Sequence, residues 1–561
     1  MRTERLSGRQ KLRLTAFLGL IVLGIAGWRW VDAAVLSYAA ASAQLAYDWP
    51  QFDGDAQHSG NNTQEWIISP ANVASLSRLY QVSLPSIADG APAYLHDVMT
   101  PSGVRDLLFV TTKDGHIIAL DASSGAQVWS EQAGAGGCTT PTGGRCYTTS
   151  SPVVDPNRQY VYSYGLDGKV HKYQVTDGTE ITGGGWPETA TLKGFNEKGS
   201  SALSLAKVAN GASYLYVANG GYPGDAGDYQ GHITAINLAT GAQTVFNTIC
   251  SDRTAHFGVP GQAGTTDCPE VQSAVWARVG VVYDSQTNTL YAATGNGDYL
   301  PLQHDWGDSV FALNPDGTGR NGNPLDSYTP SDYQQLQNGD VDLGSTAPAI
   351  LPVPSSSNVQ HLAVQSGKDA LLRLLNLDNL SGHGGPGYTG GEVGTPIPVP
   401  QGGEVLTQPA VWVNPTDGQT WVFVATGSGL AGLDLTIAGD GTPRLQPVWQ
   451  NGSGGSSPIV ANGILFEATQ NNAIVALDPA TGKQLWRGGI GGIHWESPIV
   501  ANGVLYITDE GSHLSAFAPA GAPACPPTAT PTASATLAPS LNFGHHLFLP
   551  LVTNDSSGFC Y

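Results

Sequence analysis

Downstream of residue 50 the chain alternates apolar and polar positions in short runs, each broken by a Gly-containing turn. That period of two predicts half-buried β-strands, and the longer helical period is nearly absent. One run occurs twice: Ser457-Pro458-Ile459-Val460-Ala461-Asn462-Gly463-Ile464-Leu465-Phe466 returns about 40 residues later as Ser497-Pro498-Ile499-Val500-Ala501-Asn502-Gly503-Val504-Leu505-Tyr506. In each copy an Asn-Gly turn joins two strands, and a polar turn then leads to a third, as in Ala473-Ile474-Val475-Ala476-Leu477-Asp478. A unit of this size and order predicts one four-stranded blade of a β-propeller.

Weaker copies lie upstream. Ala476-Leu477-Asp478-Pro479-Ala480-Thr481-Gly482-Lys483-Gln484-Leu485-Trp486 matches Ala119-Leu120-Asp121-Ala122-Ser123-Ser124-Gly125-Ala126-Gln127-Val128-Trp129. Partial copies start at Ala235 and Ala312. The chemistry is that of a tight turn: Asp or Asn accepts backbone N–H bonds, Gly supplies a positive φ, and the Trp packs between neighbouring blades.

These turns resemble the tryptophan-docking repeat of the PQQ-binding-like β-propeller family, the quinoprotein alcohol dehydrogenase-like repeats, over residues 49–519. The implied fold is all-β, an about eight-bladed propeller of four-stranded antiparallel blades. Its candidate segments are 106–129, 159–184, 213–246, 289–319, 360–380, 420–449, 463–486 and 503–519. The fifth and sixth are degenerate, which leaves seven blades as the alternative. The last segment lacks an outer strand, and Leu79-Tyr80-Gln81-Val82-Ser83-Leu84 has the pattern to supply it and close the ring.

Composition narrows the setting. With 45 Asp+Glu against 24 Lys+Arg, the formal net charge of −21 disfavours a nucleic-acid or anionic-membrane surface. Arg2, Arg5, Arg9, Lys11 and Arg13 precede an apolar run from Leu14 to Trp28, the pattern of an export helix. Residues 1–43 are therefore expected to be a signal peptide or an N-terminal membrane anchor, the chain's only membrane contact. The expected location is extracytoplasmic, secreted or anchored.

Six cysteines fit an oxidising compartment: pairing neighbours gives Cys138 with Cys146, Cys250 with Cys268, and Cys525 with Cys560. Neither Cys-x-x-Cys nor paired-His spacing occurs, which argues against zinc. After Pro519, a Pro/Thr-rich stretch at 520–540 reads as a disordered spacer leading to an apolar tail at 541–561. That tail is either a surface-placement signal or a cap on the propeller.

Candidate chemistry gathers after Ala293-Thr294-Gly295-Asn296-Gly297-Asp298. In the dehydrogenases of the family such a turn carries an Asn that binds calcium beside the quinone, and a following Asp acts as base. The resemblance implies Asn296 as cofactor and calcium ligand, Asp305 or Asp308 as catalytic base, and Lys368 as a quinone contact. Where the family has a calcium-binding Glu in the third blade, this chain offers Asp225 or Asp228, and Gln230 stands where an Arg is expected. Adjacent Cys-Cys is absent. Calcium suits such oxygen ligands, and a carboxylate can remove an alcohol proton. His494-Trp495-Glu496 is a second constellation, able to do acid–base work or to cap a loop.

Two functions follow. With the dehydrogenase set incomplete, the leading expectation is a non-enzymatic binding or scaffold protein of the cell envelope, with envelope proteins as partners. The alternative is a PQQ- and calcium-dependent dehydrogenase oxidising alcohols or sugars. No Cys-x-x-Cys-His haem motif is present, so its electrons would leave through a separate acceptor.

Overall fold

The computed structural model describes residues 46–134 and 137–520. Its strands form eight main sheets, antiparallel except where Asn61–Asn62 pairs in parallel with Val460–Ala461. Blade 1 comprises Ala93–Thr100, Gly103–Thr111, His116–Asp121 and Gln127–Gln132. Blades 2 to 6 span 153–189, 204–247, 281–328, 349–398 and 410–450, and blade 7 spans 459–489. Blade 8 takes Ile499–Ala501, Val504–Asp509 and His513–Pro519 from the C-terminal side, and Leu76–Ser83 as its outer strand. The ring therefore closes as the sequence predicts, with Tyr80 opposite Ala516 and Val82 opposite Leu514, and the count is eight rather than seven.

Local chemistry accounts for the repeat. Asn462 and Gly463 have φ of 47° and 72°, Asn502 and Gly503 47° and 82°, the left-handed pair a two-residue hairpin needs. Ala461 faces Ile464 and Ala501 faces Val504 across them. Pro92, Pro152, Pro348, Pro409, Pro458 and Pro498 each stand one residue before the first strand of a blade. That position tolerates a residue without an N–H, because it lies outside the ladder.

Blade-to-blade docking uses the Asp/Gly turn. Asp478 Oδ1 accepts the N–H groups of Ala480 and Thr481 at 3.0 Å each, and Gly482 has φ +67°. Trp449 of blade 6 lies against this turn of blade 7. It donates from Nε1 to the Pro479 carbonyl at 2.8 Å, and a Cβ on Gly482 would sit 2.4 Å from its ring. Trp129 docks on blade 2 in the same way, through the Val175 carbonyl at 3.0 Å. At the closure Tyr80 takes the Trp position: its hydroxyl donates to the Ala122 carbonyl at 2.7 Å and its ring covers Gly125.

Two of the three expected disulfides are formed, Cys138–Cys146 and Cys250–Cys268. The Cys525–Cys560 pair, the export segment, the spacer past Ala520 and the apolar tail lie outside the described residues. No helix among the described residues is long and apolar enough to cross a membrane.

Candidate functional site

In an antiparallel blade the start of the first strand and the end of the second lie at the same edge of the sheet. Loops from these ends in blades 1, 2, 3, 4, 5 and 8 surround a cavity of about 490 Å³. Four of the chain's 24 Lys+Arg reach it: Lys113, Lys198, Arg278 and Lys368. In so acidic a protein this is a local concentration of positive charge. Aromatic rings, among them Tyr147, Tyr222, Trp276 and Trp495, supply the apolar wall.

One side of the cavity is built on the segment before blade 5. A short helix, Tyr333–Gly339, ends at Asp340, whose left-handed backbone turns the chain so that Asp340 and Asp342 both reach the cavity. Lys368, beyond the blade 5 strand Leu362–Gln365, places Nζ 2.5 Å from Asp342 Oδ2 and 3.6 Å from Asp340 Oδ1. The same ammonium lies 5.6 Å from the Trp276 ring centroid. Burial pulls the Lys368 pKa down, but Asp342 and Asp340 outweigh it and hold it above the ordinary lysine value.

Asn296 stands behind these two carboxylates. It donates from its backbone N to Asp342 Oδ1 at 2.7 Å and from Nδ2 to Asp340 Oδ1 at 2.6 Å. Its Oδ1 is buried without a partner among the described residues. Asp308 is also behind the wall: Oδ1 accepts the Leu343 N–H at 3.0 Å, and burial, reinforced by Asp342, pushes its carboxyl up to about 8.

Asp305 accepts the Cys250 N–H at 2.9 Å, and burial raises its pKa too. Neither Asp305 nor Asp308 lines the cavity. Asp225 does, with Oδ1 bonded by the Tyr229 hydroxyl at 2.5 Å. Asp228 does not; it pairs with buried Lys193 at 3.1 Å, and Gln230 bonds the same ammonium. That lysine gives Gln230 a structural partner where the resemblance expects an arginine.

The opposite side joins blade 8 to blade 1. Buried Asp89 accepts His494 Nδ1 at 2.8 Å and the Trp495 N–H at 2.9 Å, and pairs with Lys113 at 3.0 Å. Burial pushes Asp89 up, yet His494, Arg278 and Lys113 together hold it at about 2. Arg278 donates to the carbonyls of Asp89, Thr149 and Ser200, and lies 5.1 Å over the Trp495 ring. Glu496 is turned inward: Oε2 accepts the His494 N–H at 2.5 Å, Oε1 has no partner, and burial followed by Asp89 pushes the carboxyl up to about 8. Asp89, His494 and Glu510 approach closely enough to suggest metal ligands, but Lys113 binds both carboxylates, so the group is a salt-bridge knot.

Trp276, Asp89, Arg278 and Lys198 carry no motif, and sequence reasoning passed over them. The sequence segment Asp340-Val341-Asp342-Leu343-Gly344-Ser345 resembles one of the family's, but nothing in it marks either carboxylate as a cavity group.

A planar aromatic quinone with anionic groups fits this donor set: aromatic faces, an ammonium at Lys368 and a volume of about 490 Å³. Calcium does not fit as well. The ion takes six to eight oxygens, whereas here Asn296 Oδ1 is uncommitted, Asp225 is bonded by Tyr229, and Lys368 already neutralises Asp342.

Residues 49–321 match the family model described as the beta-propeller domain of glucose/ethanol/alcohol dehydrogenases, and residues 412–522 the one described as outer membrane protein assembly factor BamB. The quinohemoprotein alcohol dehydrogenase of Comamonas testosteroni is 24% identical over 556 residues, covering 82% of this chain and 74% of that protein. Among solved structures, a quinohemoprotein alcohol dehydrogenase from Pseudomonas putida aligns with a TM-score of 0.55 at 13% identity, over 84% of this chain and 80% of the other. A europium-containing methanol dehydrogenase gives 0.55 at 15%, over 84% and 98%. At these identities the structures establish a shared propeller fold.

Proposed function

Because this chain belongs to the PQQ-binding-like, quinoprotein alcohol dehydrogenase-like β-propeller repeat family, we propose that its cavity binds pyrroloquinoline quinone and oxidises a small alcohol or sugar. The observation that carries this reading is the meeting of Lys368, Asp342, Asp340 and Trp276 on one cavity wall, backed by Asn296. The quinone, when bound, supplies a two-electron acceptor. Lys368 would face its anionic edge and Trp276 its ring. Asp342, fixed by the Asn296 N–H and by Lys368, is the carboxylate placed to take the hydroxyl proton. Asp308 would act through the Leu343 N–H, positioning the 340–345 segment. The two disulfides support an extracytoplasmic site of action. Calcium enters as an arm of the test and not as part of the mechanism.

The test is titration of purified protein with the quinone, with and without Ca²⁺, following quinone absorbance and dye reduction with a panel of alcohols and sugars. Saturable binding is expected, weakened at least about tenfold, or about 1.4 kcal/mol, by Lys368→Ala. Dye reduction should depend on substrate and fall in Asp342→Asn without a matching loss of quinone affinity. Absence of binding would retire the enzyme. It would favour the second reading, a binding or scaffold role in the cell envelope with envelope proteins as partners, which the match of residues 412–522 supports.

A further inference from the structure

Of the three cavity cations that the proposed reaction does not use, Lys113, Arg278 and Lys198, the last stands apart. It lies in the strand Glu197–Gly199, which pairs with the second strand of blade 3, opposite Gly220. It is 6% exposed, and its side chain points into the cavity. Lys113, Arg278 and Lys368 each have carboxylate or carbonyl partners. Among the described residues nothing accepts a hydrogen bond from Lys198 Nζ, and no carboxylate pairs with it. Instead the nitrogen lies 4.3 Å from the Tyr147 ring centroid and 5.9 Å from that of Tyr222, two rings that meet edge to face at 5.6 Å.

The ring faces attract an ammonium, whereas burial opposes it. Burial dominates and brings the amine down to about 7; the Arg278 and Lys113 charges push the same way, and Asp89 opposes them. The rings of Tyr147 and Tyr222 offer no ionised partner, since burial raises the pKa of both phenols. A desolvated lysine beside other cations is a way to prepare an amine nucleophile. The cavity mouth is open at His494, whose side chain is 52% exposed, so a small molecule can enter.

We propose that Lys198 is a reactive amine, placed by the Tyr147–Tyr222 ring pair to form an imine with an aromatic aldehyde bound in this cavity. The Nζ lone pair adds to the carbonyl carbon, and a proton passes from nitrogen to the former carbonyl oxygen. The second hydrogen of the same nitrogen is then lost as that oxygen leaves, so that oxygen departs as water and a neutral C=N bond remains. No electrons are exchanged and no oxidant is required. The aromatic class follows from the rings that flank the nitrogen, and the aldehyde class from the chemistry of an unprotonated primary amine. The inference does not rest on quinone binding.

The experiment incubates the purified protein with benzaldehyde and cyanoborohydride, which fixes an imine as a stable secondary amine. Peptide mapping then follows modification at each lysine between pH 6 and 9.5. Lys207, exposed at the end of a neighbouring strand, is the internal reference. Lys198 should be modified at least about a hundredfold faster than exposed Lys207 at pH 7.5, because an amine titrating at about 7 is mostly unprotonated there. Its rate should rise through about pH 7 and then level. Lys198→Met should abolish the fast site and leave the slow ones. Equal rates at the two lysines in the wild-type protein, or a Lys198 rate still climbing past pH 9, would overturn the proposal. The comparison within one protein stands even if the variant fails to fold.

Discussion

Three buried side chains, Lys198, Glu496 and Asp308, hold their charge equilibria away from ordinary values, and the signs differ. Glu496 and Asp308 are pushed up to about 8 by burial, so between roughly pH 4 and 8 the folded chain holds protons that the unfolded chain has released. Their contribution therefore favours folding at low pH and is lost as pH rises through that window. Lys198 is lowered to about 7, so the unfolded chain binds the extra proton from about pH 7 to 10, and stability rises across that range. Glu496→Gln should flatten the fall in melting temperature between pH 5 and 8. Lys198→Met should raise the melting temperature most below pH 7 and least near pH 10. Thermal scans across pH check both; a uniform shift at all pH values would mean that packing, not titration, dominates.

The turn that joins the third and fourth strands of a blade also docks the preceding blade, so its glycine is doubly constrained. Gly482→Ala meets a positive φ and the Trp449 ring at 2.4 Å, and should cost about 1–3 kcal/mol. The same change at Gly418, which also has a positive φ but nothing within 4 Å, should cost less, and denaturant unfolding of the two variants separates crowding from backbone strain. This docking was readable in the sequence wherever Asp, Gly and Trp recur, at 121–129 and 478–486. At Tyr80 it was hidden, because a Tyr on a distant segment replaces the Trp. The candidate site was legible to a smaller degree. Lys368 and Asp225 reach the cavity and Asn296 backs it, while Asp305, Asp308 and Asp228 are bonded elsewhere. Asp225 lines the cavity while Asp228, further along the same loop, pairs with Lys193, and a motif does not encode which of the two faces inward.

For the whole ring, closure by Leu76–Ser83 leaves no long unpaired strand on blade 8. A chain shortened to begin after Leu84 should expose the edge of His513–Pro519 and become prone to aggregation and to proteolysis in blade 8; size-exclusion chromatography and limited digestion would register either change. Strand period, Asn-Gly hairpins, Asp/Gly turns and the closing strand could all be read along the chain, because each is fixed by near neighbours or by a repeated pattern whose copies explain one another. The cavity could not. Its groups come from loops of six blades, with Asp89 and His494 separated by 405 positions yet bonded at 2.8 Å. Loops that do not repeat carry no periodic signal. Only folding into the ring brings Lys198 between two tyrosines, Asp342 against Lys368 and Asp89 beneath His494, because desolvation and charge pairing depend on distances in space rather than on spacing along the backbone.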